Sequence, residues 1–346
     1  MLAPAFSEYH WSSLMRSLTS LTVIFVLLSS LPAWAQTALT ILHTSKHQGT
    51  IRPIEQGAFT GQGGVERRAT LIKQIRKEVE HLLVVDSGDL LMGTGLSSVH
   101  RGDADIAAMN LMAYDAVAVG NHDFDFGTRH LKGLHKAATF PFLCSNVRPH
   151  EPDTCTRYVI KTLGTLRIGL IALIGKRIYP DTFNRAVVRE VEFQDPIAAA
   201  KNAAEELRDR VDLLVAITHQ DTEEDLALAK EVPALDVIIG GHTEGFDGLV
   251  PQGQTVPVEG RVELTGAGPV FVKTHRQGRT LGRLDLVLHD KTIMVAEARN
   301  LPVTSTVPPD PEVAALVREY AQRLGQKATP FVDKAAQPDN PPPDAR

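Results

Sequence analysis

The amino-acid sequence predicts an α/β fold in which helices cover the faces of the sheets. Short apolar runs, such as 82–85, 116–119 and 213–217, alternate with stretches of helical periodicity. These runs are apolar throughout, which is typical of strands buried on both faces. Of the 346 residues, 43% are hydrophobic and 22% are charged, a composition that suits a globular protein with a large core.

The predicted elements follow one another from residue 39 onward, with no internal repeat. Strands are predicted at 39–43, 82–85, 116–119, 168–174, 213–217, 237–239, 262–264 and 284–288. Helices are predicted at 64–80, 106–114, 196–210 and 308–325. The sequence therefore predicts one main domain at 36–302, a C-terminal helix and linker at 303–336, and a proline-rich tail at 337–346 that we expect to be disordered.

The N-terminus has the pattern of a secretory signal peptide, which we assign to residues 1–35. An apolar run at 21–28 follows Arg16 and leads to Ala33-Trp34-Ala35, a small-x-small cleavage pattern. The run is too short to span a bilayer, so we expect a periplasmic or secreted protein with no stable membrane span after cleavage. An uncleaved N-terminal anchor is the alternative, and Met15 is an alternative start.

The sequence contains two cysteines, Cys144 and Cys155. In an oxidising compartment this pair can close a short loop by a disulfide, and two buried free thiols are the alternative. Their spacing fits no thiolate metal site.

Polar residues that can bind metal follow several of the apolar strands. Because the carboxyl ends of strands in an α/β sheet lie along one edge, loops that are distant in sequence converge there. Carboxylate, amide and imidazole groups on such loops suit a divalent cation. One such group is explained by helix capping, but four are not. The four groups are Asp86 with Asp89, the segment 121–125, His219, and His242 with Glu244.

The segment Gly120-Asn121-His122-Asp123-Phe124-Asp125-Phe126-Gly127 resembles the signature of the 5′-nucleotidase branch of the calcineurin-like metallophosphoesterases. Gly88-Asp89, Thr218-His219 and Gly240-Gly241-His242 are similar to other motifs of that branch and occur in the same order, and His43-Thr44 opens the first motif. The resemblance covers about residues 39–288. It implies a four-layer α/β/β/α sandwich of the metal-dependent phosphatase type, with two mixed sheets packed together and helices outside.

The resemblance also implies two divalent metal ions bridged by one aspartate, which here is Asp89. One ion would be bound by Asp89, Asn121, His219 and His242. The second would be bound by an aspartate and a histidine of the first motif and by the residue two positions after His242, which is Glu244. Nitrogen and oxygen ligands of this kind accept manganese, zinc or iron.

The first motif departs from the family pattern at both of its ligand positions. Lys46 stands where the aspartate is expected, and Gln48 stands where the histidine is expected. A protonated lysine has no lone pair and cannot bind a metal. We therefore predict a single-metal centre in which Lys46 supplies a fixed positive charge at the second position. Two alternatives stay open: Lys46 turns to solvent and the site is degenerate, or His47 or the amide oxygen of Gln48 acts as a replacement ligand.

His122 and Asp125 form a second group of predicted functional residues, beside the metal ligands. The resemblance implies that His122 acts as general acid or electrostatic aid to the leaving group while Asp125 holds its imidazole, because such an aspartate fixes the tautomer and raises the basicity of the ring. A structural His–Asp pair is the alternative. We expect Asp123 to support or cap a loop, and Asp221 and Asp225 to belong to a solvated helix start.

The resulting functional hypothesis is a periplasmic metal-dependent, 5′-nucleotidase-like hydrolase of small phosphoesters. A non-catalytic metal- or ligand-binding pseudoenzyme of the same fold is the main alternative, and a sulfur-ester hydrolase is a further one. Full-length 5′-nucleotidases carry a second domain after the C-terminal helix that supplies nucleotide-binding residues. We therefore expect a protein partner as one source of specificity. The net charge of −5 gives no indication of a nucleic acid polymer as partner.

Overall fold

The computed structural model describes residues 36–243, 248–250 and 268–327. The predicted signal peptide, the predicted strand at 262–264 and the predicted tail at 337–346 lie outside these residues. The strands are β1 (Gln36–Thr44), β2 (Leu82–Asp86), β3 (Ala116–Ala118), β4 (Phe142–Leu143), β5 (Val147–Pro149), β6 (Tyr158–Leu163), β7 (Leu166–Ile174), β8 (Val191–Phe193), β9 (Leu213–His219), β10 (Val237–Gly240), β11 (Gly248–Val250), β12 (Val270–Lys273), β13 (Thr280–His289) and β14 (Thr292–Pro302). The helices are α1 (Val65–Glu78), α2 (Gly95–His100), α3 (Asp103–Met112), α4 (Thr128–Ala137), α5 (Arg185–Val188), α6 (Pro196–Leu207), α7 (Thr222–Glu231) and α8 (Pro311–Lys327).

Two six-stranded mixed sheets form the centre of the molecule. The first has the order β14-β13-β1-β2-β3-β4, and the second has the order β11-β12-β10-β9-β7-β6. Strands β1 to β4 are parallel to one another, as are β7, β9, β10 and β12. Antiparallel strands extend both sheets towards their edges. The parallel strands of each sheet therefore place their carboxyl ends along one edge, and the loops that carry the predicted ligands begin there.

Four layers result from the way these sheets bury their faces. Alternate residues of the two sheets, among them Ile41, Leu83 and Ile217, fill a core between the sheets. The opposite face of the first sheet packs against α1, α3, α4 and α8, and that of the second packs against α6 and α7. The predicted four-layer α/β/β/α sandwich is confirmed, and the double burial explains why the strands are apolar throughout.

Helix α8 belongs to the core of the domain. Val313 and Val317 are buried in the same cluster as the apolar faces of α1 and α3. Lys73 of α1 donates to Asp310, whose carboxylate in turn accepts the backbone N–H of Val313 and so caps the start of α8. The helix is thus fixed to the outer face of the first sheet.

Two further contacts hold the ends of strands. A disulfide joins Cys144 to Cys155 and closes the loop between β4 and β6. Asp212, just before β9, accepts the backbone N–H of Arg167 at 2.7 Å and pairs with the side chains of Arg167 and Lys291. Within the described ranges, no helix is both long and apolar enough to cross a membrane.

Candidate metal centre

The loops after β2, β3 and β10 and the last residue of β9 bring four predicted ligands to one edge of the sandwich. Asp89 and His219 are fully buried, Asn121 is almost so, and His242 is partly exposed. One potential ligand atom each of Asp89, His219 and His242 lies within 4.8 Å of the others. Residues separated by more than 150 positions therefore meet because their strands end at the same edge.

Two glycines allow the loops after β2 and β3 to approach each other. A Cβ atom at Gly88, where φ is +86°, would lie 2.6 Å from the backbone nitrogen of Gly120. A Cβ atom at Gly120 would lie 2.5 Å from the backbone nitrogen of Asp89. Both distances are shorter than real Cβ contacts, so any larger residue would push Asp89 away from the predicted ligand Asn121 on the neighbouring loop.

The orientation of His219 leaves a lone pair directed into the centre. Its Nδ1 donates to the carbonyl oxygen of Ser87 at 2.7 Å, so in the neutral ring Nε2 carries the lone pair. Nε2 lies 3.1 Å from Asp89 Oδ2 and 3.1 Å from His242 Nδ1. A lone pair that faces a carboxylate oxygen at this distance is repulsive unless a proton or a cation lies between them.

Two buried oxygens in the same place lack donors. Asp89 Oδ2 and Asn121 Oδ1 have no hydrogen-bond partner among the residues that the structure describes. Buried polar atoms are rarely left unpaired, and such orphans require an explanation. A divalent cation provides one, because carboxylate, amide and imidazole groups are its usual ligands in mixed nitrogen–oxygen sites. The residues present therefore fit a bound metal ion.

The protonation states of Asp89 and His242 are those of metal ligands. Burial alone would raise the pKa of Asp89, but His219, His122 and Lys46 hold that pKa well below its usual range. Burial, together with the neighbouring His219 and Lys46, lowers the pKa of His242 to about 3. An ionised carboxylate and a neutral imidazole are the protonation states in which these groups bind metals.

His122 and Asp125 make the contact expected of a catalytic pair. His122 Nδ1 lies 2.8 Å from Asp125 Oδ2, and this hydrogen bond raises the pKa of His122. The backbone N–H of His122 donates to Asp89 Oδ1 at 3.0 Å, which ties the pair to the proposed ligand set. The His122 side chain is 39% exposed, so a substrate can reach the ring.

Lys46 points towards the centre. Its ammonium lies 3.8 Å from Asp89 Oδ2, and its side chain is only 14% exposed. The backbone supports this placement, because the N–H of Lys46 donates to Gly88 O and its carbonyl oxygen accepts from the N–H of Gln277. The structure thus places the ammonium of Lys46 beside Asp89 and does not direct it to solvent.

His47 is directed away from the centre, into a buried polar cluster. Its Nε2 lies 3.1 Å from Asp105 Oδ1, and Arg68 donates to its Nδ1 at 3.4 Å. Asp105 also accepts from the hydroxyl of Ser97 at 2.7 Å. Both ring nitrogens face partners outside the centre, so this geometry gives no support to His47 as a replacement ligand. The backbone N–H of Gln48 donates a hydrogen bond to Asp89 O.

The expectation that Asp225 belongs to a solvated helix start is wrong. Its side chain is fully buried and lies 3.3 Å from the ammonium of Lys273, and the hydroxyl of Thr218 donates to it. Burial raises the pKa of Asp225 to about 6 although Lys273 opposes this shift. Lys273 also donates to Thr243, the residue after His242, and so supports the loop that carries this histidine. Asp221 does begin α7, with a capping box.

Glu244, the remaining predicted ligand, lies outside the described residues. Asp86 supports the loop after β2, because it accepts hydrogen bonds from the N–H of Gly88 at 2.8 Å and from the hydroxyl of Thr44. Asp123 is buried beside Asp89; burial and the charge of Asp89 raise its pKa, and the backbone N–H groups of Gly120 and Leu91 oppose this shift.

Comparison with known proteins settles the family. The model of the calcineurin-like phosphoesterase family matches residues 39–244, which is more than half of the chain. The chain belongs to the calcineurin-like phosphoesterase family. The family resemblance that the sequence motifs indicated is therefore confirmed.

Within this phosphoesterase family the chain is similar to 5′-nucleotidases. It is 30% identical over 315 residues to the snake venom 5′-nucleotidase of Crotalus adamanteus, which covers 86% of this chain and 53% of that protein. It is 28% identical over 325 residues to the 5′-nucleotidase of Bos taurus, with 88% and 56% covered. The chain thus spans about half the length of the curated relatives it matches.

A solved structure shows the same likeness. The 5′-nucleotidase precursor from Thermus thermophilus superposes with a TM-score of 0.73 and 27% sequence identity, over 84% of this chain and 59% of that one. The NAD nucleotidase of Haemophilus influenzae superposes with a TM-score of 0.72 at 21% identity, which shows the shared fold.

Proposed function

We propose that this chain is a phosphoester hydrolase that uses a single divalent cation, bound by Asp89, Asn121, His219 and His242. The observation that carries this proposal is the convergence of buried acceptor atoms without donors, which a cation would satisfy. Manganese, zinc and iron all suit these nitrogen and oxygen ligands. Membership of the phosphoesterase family supplies the reaction class.

The proposed reaction uses the chain's own residues in distinct roles. A divalent cation bound at these ligands would polarise a phosphoryl oxygen and lower the pKa of a bound water. His122 would give a proton to the leaving-group oxygen, and Asp125 keeps its imidazole in the required orientation through the contact at Nδ1. Asp89 fixes the backbone of His122 relative to the ligands.

Lys46 would take the electrostatic role of a second cation. Its ammonium lies beside Asp89 at the position where the family motif has a metal ligand. There it would bind an oxygen of the transferred phosphoryl group and offset the negative charge that develops on it. A site with one cation and one ammonium stabilises this charge less than a two-metal clamp, so we expect modest turnover.

Indirect observations support the proposed substrate class and the proposed location. The 5′-nucleotidase names of several relatives favour a small phosphoester such as a nucleotide. The signal-like N-terminus and the disulfide between Cys144 and Cys155 favour an oxidising, periplasmic or secreted location. We also propose a protein partner as one source of specificity.

Metal stoichiometry and turnover of the mature chain test the proposal together. We expect about one manganese or zinc ion per chain after reconstitution, loss of that ion in His219→Ala, and hydrolysis of 4-nitrophenyl phosphate or AMP. His122→Ala should retain the ion but lose turnover by a factor of about 10² to 10⁴, the usual contribution of a general acid. His130→Ala, which removes an exposed histidine bonded to Arg101 O, is the matched control.

Two outcomes would contradict the proposal in different ways. Two ions per chain would contradict the single-metal centre but keep the hydrolase. One ion with no hydrolysis of any phosphoester, and unchanged behaviour of His122→Ala, would favour the non-catalytic binding protein. Restoring the family pattern with Lys46→Asp and Gln48→His would then show whether the altered motif is the cause.

A further inference from the structure

We infer that Asp123 is the positioning residue of the centre: one buried carboxylate sets the geometry of both Asp89 and the loop that carries Lys46. The functional half of this inference rests on the proposed metal site. The effect of Asp123 on the three loops of the metal-free protein does not depend on that site.

The carboxylate of Asp123 accepts hydrogen bonds from four backbone N–H groups. Its Oδ2 accepts from Gly120 at 2.7 Å and from Asp89 at 3.0 Å. Its Oδ1 accepts from Leu90 at 2.8 Å and from Leu91 at 3.2 Å. The side chain is buried, so no solvent competes for these donors. One side chain therefore joins the loop after β2 to the loop after β3.

This arrangement holds Asp89 in an unusual backbone conformation. The φ angle of Asp89 is +59°, in the left-handed region, which costs free energy for a residue other than glycine. The hydrogen bonds from Asp89, Leu90 and Leu91 to Asp123 stabilise this conformation. In return, Asp89 Oδ1 accepts the N–H of His122, so the two aspartates hold each other's loops. Asp89 Oδ2 is thereby left directed at His219.

The same hydrogen bonds extend to the first motif. Two of the residues whose N–H groups donate to Asp123 also accept hydrogen bonds from the loop after β1. Asp89 O accepts from Gln48 N, and Leu90 O accepts from Gly49 N, both at 2.8 Å. Gly88 O accepts from Lys46 N at 3.0 Å. The peptide groups of Asp89 and Leu90 thus lie between Asp123 and the Lys46 loop.

The chemistry of these contacts requires a carboxylate. Two carboxylate oxygens offer about four lone-pair sites, which matches the four donors. An asparagine has one accepting oxygen, and its NH₂ group would face backbone N–H groups. Asp123→Asn would therefore leave at least one buried pair of donors unsatisfied while changing the volume of the side chain very little.

Asp123→Asn in the mature chain tests this role by two measurements. Hydrogen exchange of the metal-free protein, followed in peptides that cover residues 86–92 and 45–50, reports the loops. Calorimetric titration with Mn²⁺ reports the centre. The matched control is Asp212→Asn, because Asp212 is also a carboxylate of low exposure that accepts a backbone N–H, at the opposite end of β9.

We expect Asp123→Asn to speed exchange in both peptides and to weaken Mn²⁺ binding by a factor of about 10 to 100, as for other residues that orient metal ligands. Asp212→Asn lowers the global stability, so it controls for a general loss of stability; it should leave the local exchange of both peptides and the Mn²⁺ affinity near those of the wild type. Equal behaviour of the two variants, or faster exchange in residues 86–92 alone, would overturn the inference. If the wild type binds no Mn²⁺, the proposed metal site fails while the exchange data still decide the role of Asp123.

A second measurement covers the case in which Asp123→Asn does not fold. In the wild-type protein, the two peptides should exchange with the same opening free energy at low denaturant concentrations, because one set of hydrogen bonds holds both loops. Clearly different opening free energies for the two peptides would overturn the inference.

Discussion

Removal of the ammonium of Lys46 should have opposite effects on metal affinity and on turnover. Lys46→Met keeps the length of the side chain and deletes its charge, 3.8 Å from Asp89 Oδ2. At this distance an effective dielectric constant of about 20 gives an attraction of roughly 4 kcal/mol. Screening at the partly exposed ammonium reduces the net interaction to about 1–2 kcal/mol, which corresponds to roughly tenfold in an equilibrium constant.

The effects on metal affinity and on turnover have opposite signs because the ammonium repels a cation and attracts a phosphoryl oxygen. Without the competing ammonium, Asp89 is more available and the divalent cation is no longer repelled, so it should bind about tenfold tighter. A phosphoryl oxygen, however, loses its positive partner, and the loss of one such group lowers turnover by roughly 10²-fold. Titration with Mn²⁺ and steady-state hydrolysis of 4-nitrophenyl phosphate on the same preparations measure the two effects.

Lys201→Met is the control, because Lys201 pairs with Glu231 on the outer helices of the second sheet. It should change neither quantity. If Lys46→Met also leaves both quantities unchanged, Lys46 has no electrostatic role in the centre. If it weakens metal binding, the side chain supports the ligands and does not compete with the cation.

Three further predictions concern stability. Leu83→Ala should lower the free energy of unfolding by about 3 kcal/mol, since Leu83 is fully buried between the sheets, whereas Met294→Ala on the exposed edge should change it little; urea unfolding measures both. Asp212→Asn should lower the free energy of unfolding by roughly 2 kcal/mol at pH 7, because the partners of Asp212 lower its pKa in the folded state. This contribution to stability is lost progressively as the pH falls below about 4, so the stabilities of wild type and variant should converge in acid. Replacing Cys144 and Cys155 by serine should lower stability by about 2–3 kcal/mol, and equal melting temperatures with and without the disulfide would contradict this.

The sequence contained enough information to predict the fold class and the long central strands. Continuous apolar runs are a strong signal, and each predicted central strand overlaps the observed one with small differences at the ends. The strands that were not predicted, such as β6 and the pair β5 and β8, are short or half-exposed. Their residues show no clean period, so tertiary pairing decides them.

The convergence of Asp89, His219 and His242 was predictable because strand ends in an α/β sheet share an edge. The supporting contacts were not, since they depend on distances between loops. The sequence pattern does indicate two of these supporting contacts. Arg68 occupies a buried position of α1 among apolar residues, and Lys273 ends an otherwise apolar strand. A charged residue at such a position needs a buried partner. For Lys273 the fold supplies the carboxylate of Asp225, and Arg68 donates to His47, whose other ring nitrogen faces Asp105.

The proposed ligands come from both sheets: Asp89 and Asn121 follow strands of the first, and in the second His219 ends β9 and His242 follows β10. A cation bound by all four would act as a cross-link between the two halves of the sandwich, in addition to its chemical role. Binding to the folded chain alone shifts the folding equilibrium by mass action, by about 4 kcal/mol at a thousandfold excess over the dissociation constant. The lifetime of the folded protein would then depend on the free metal concentration of its compartment, so that metal supply controls how much protein persists as well as how fast it works.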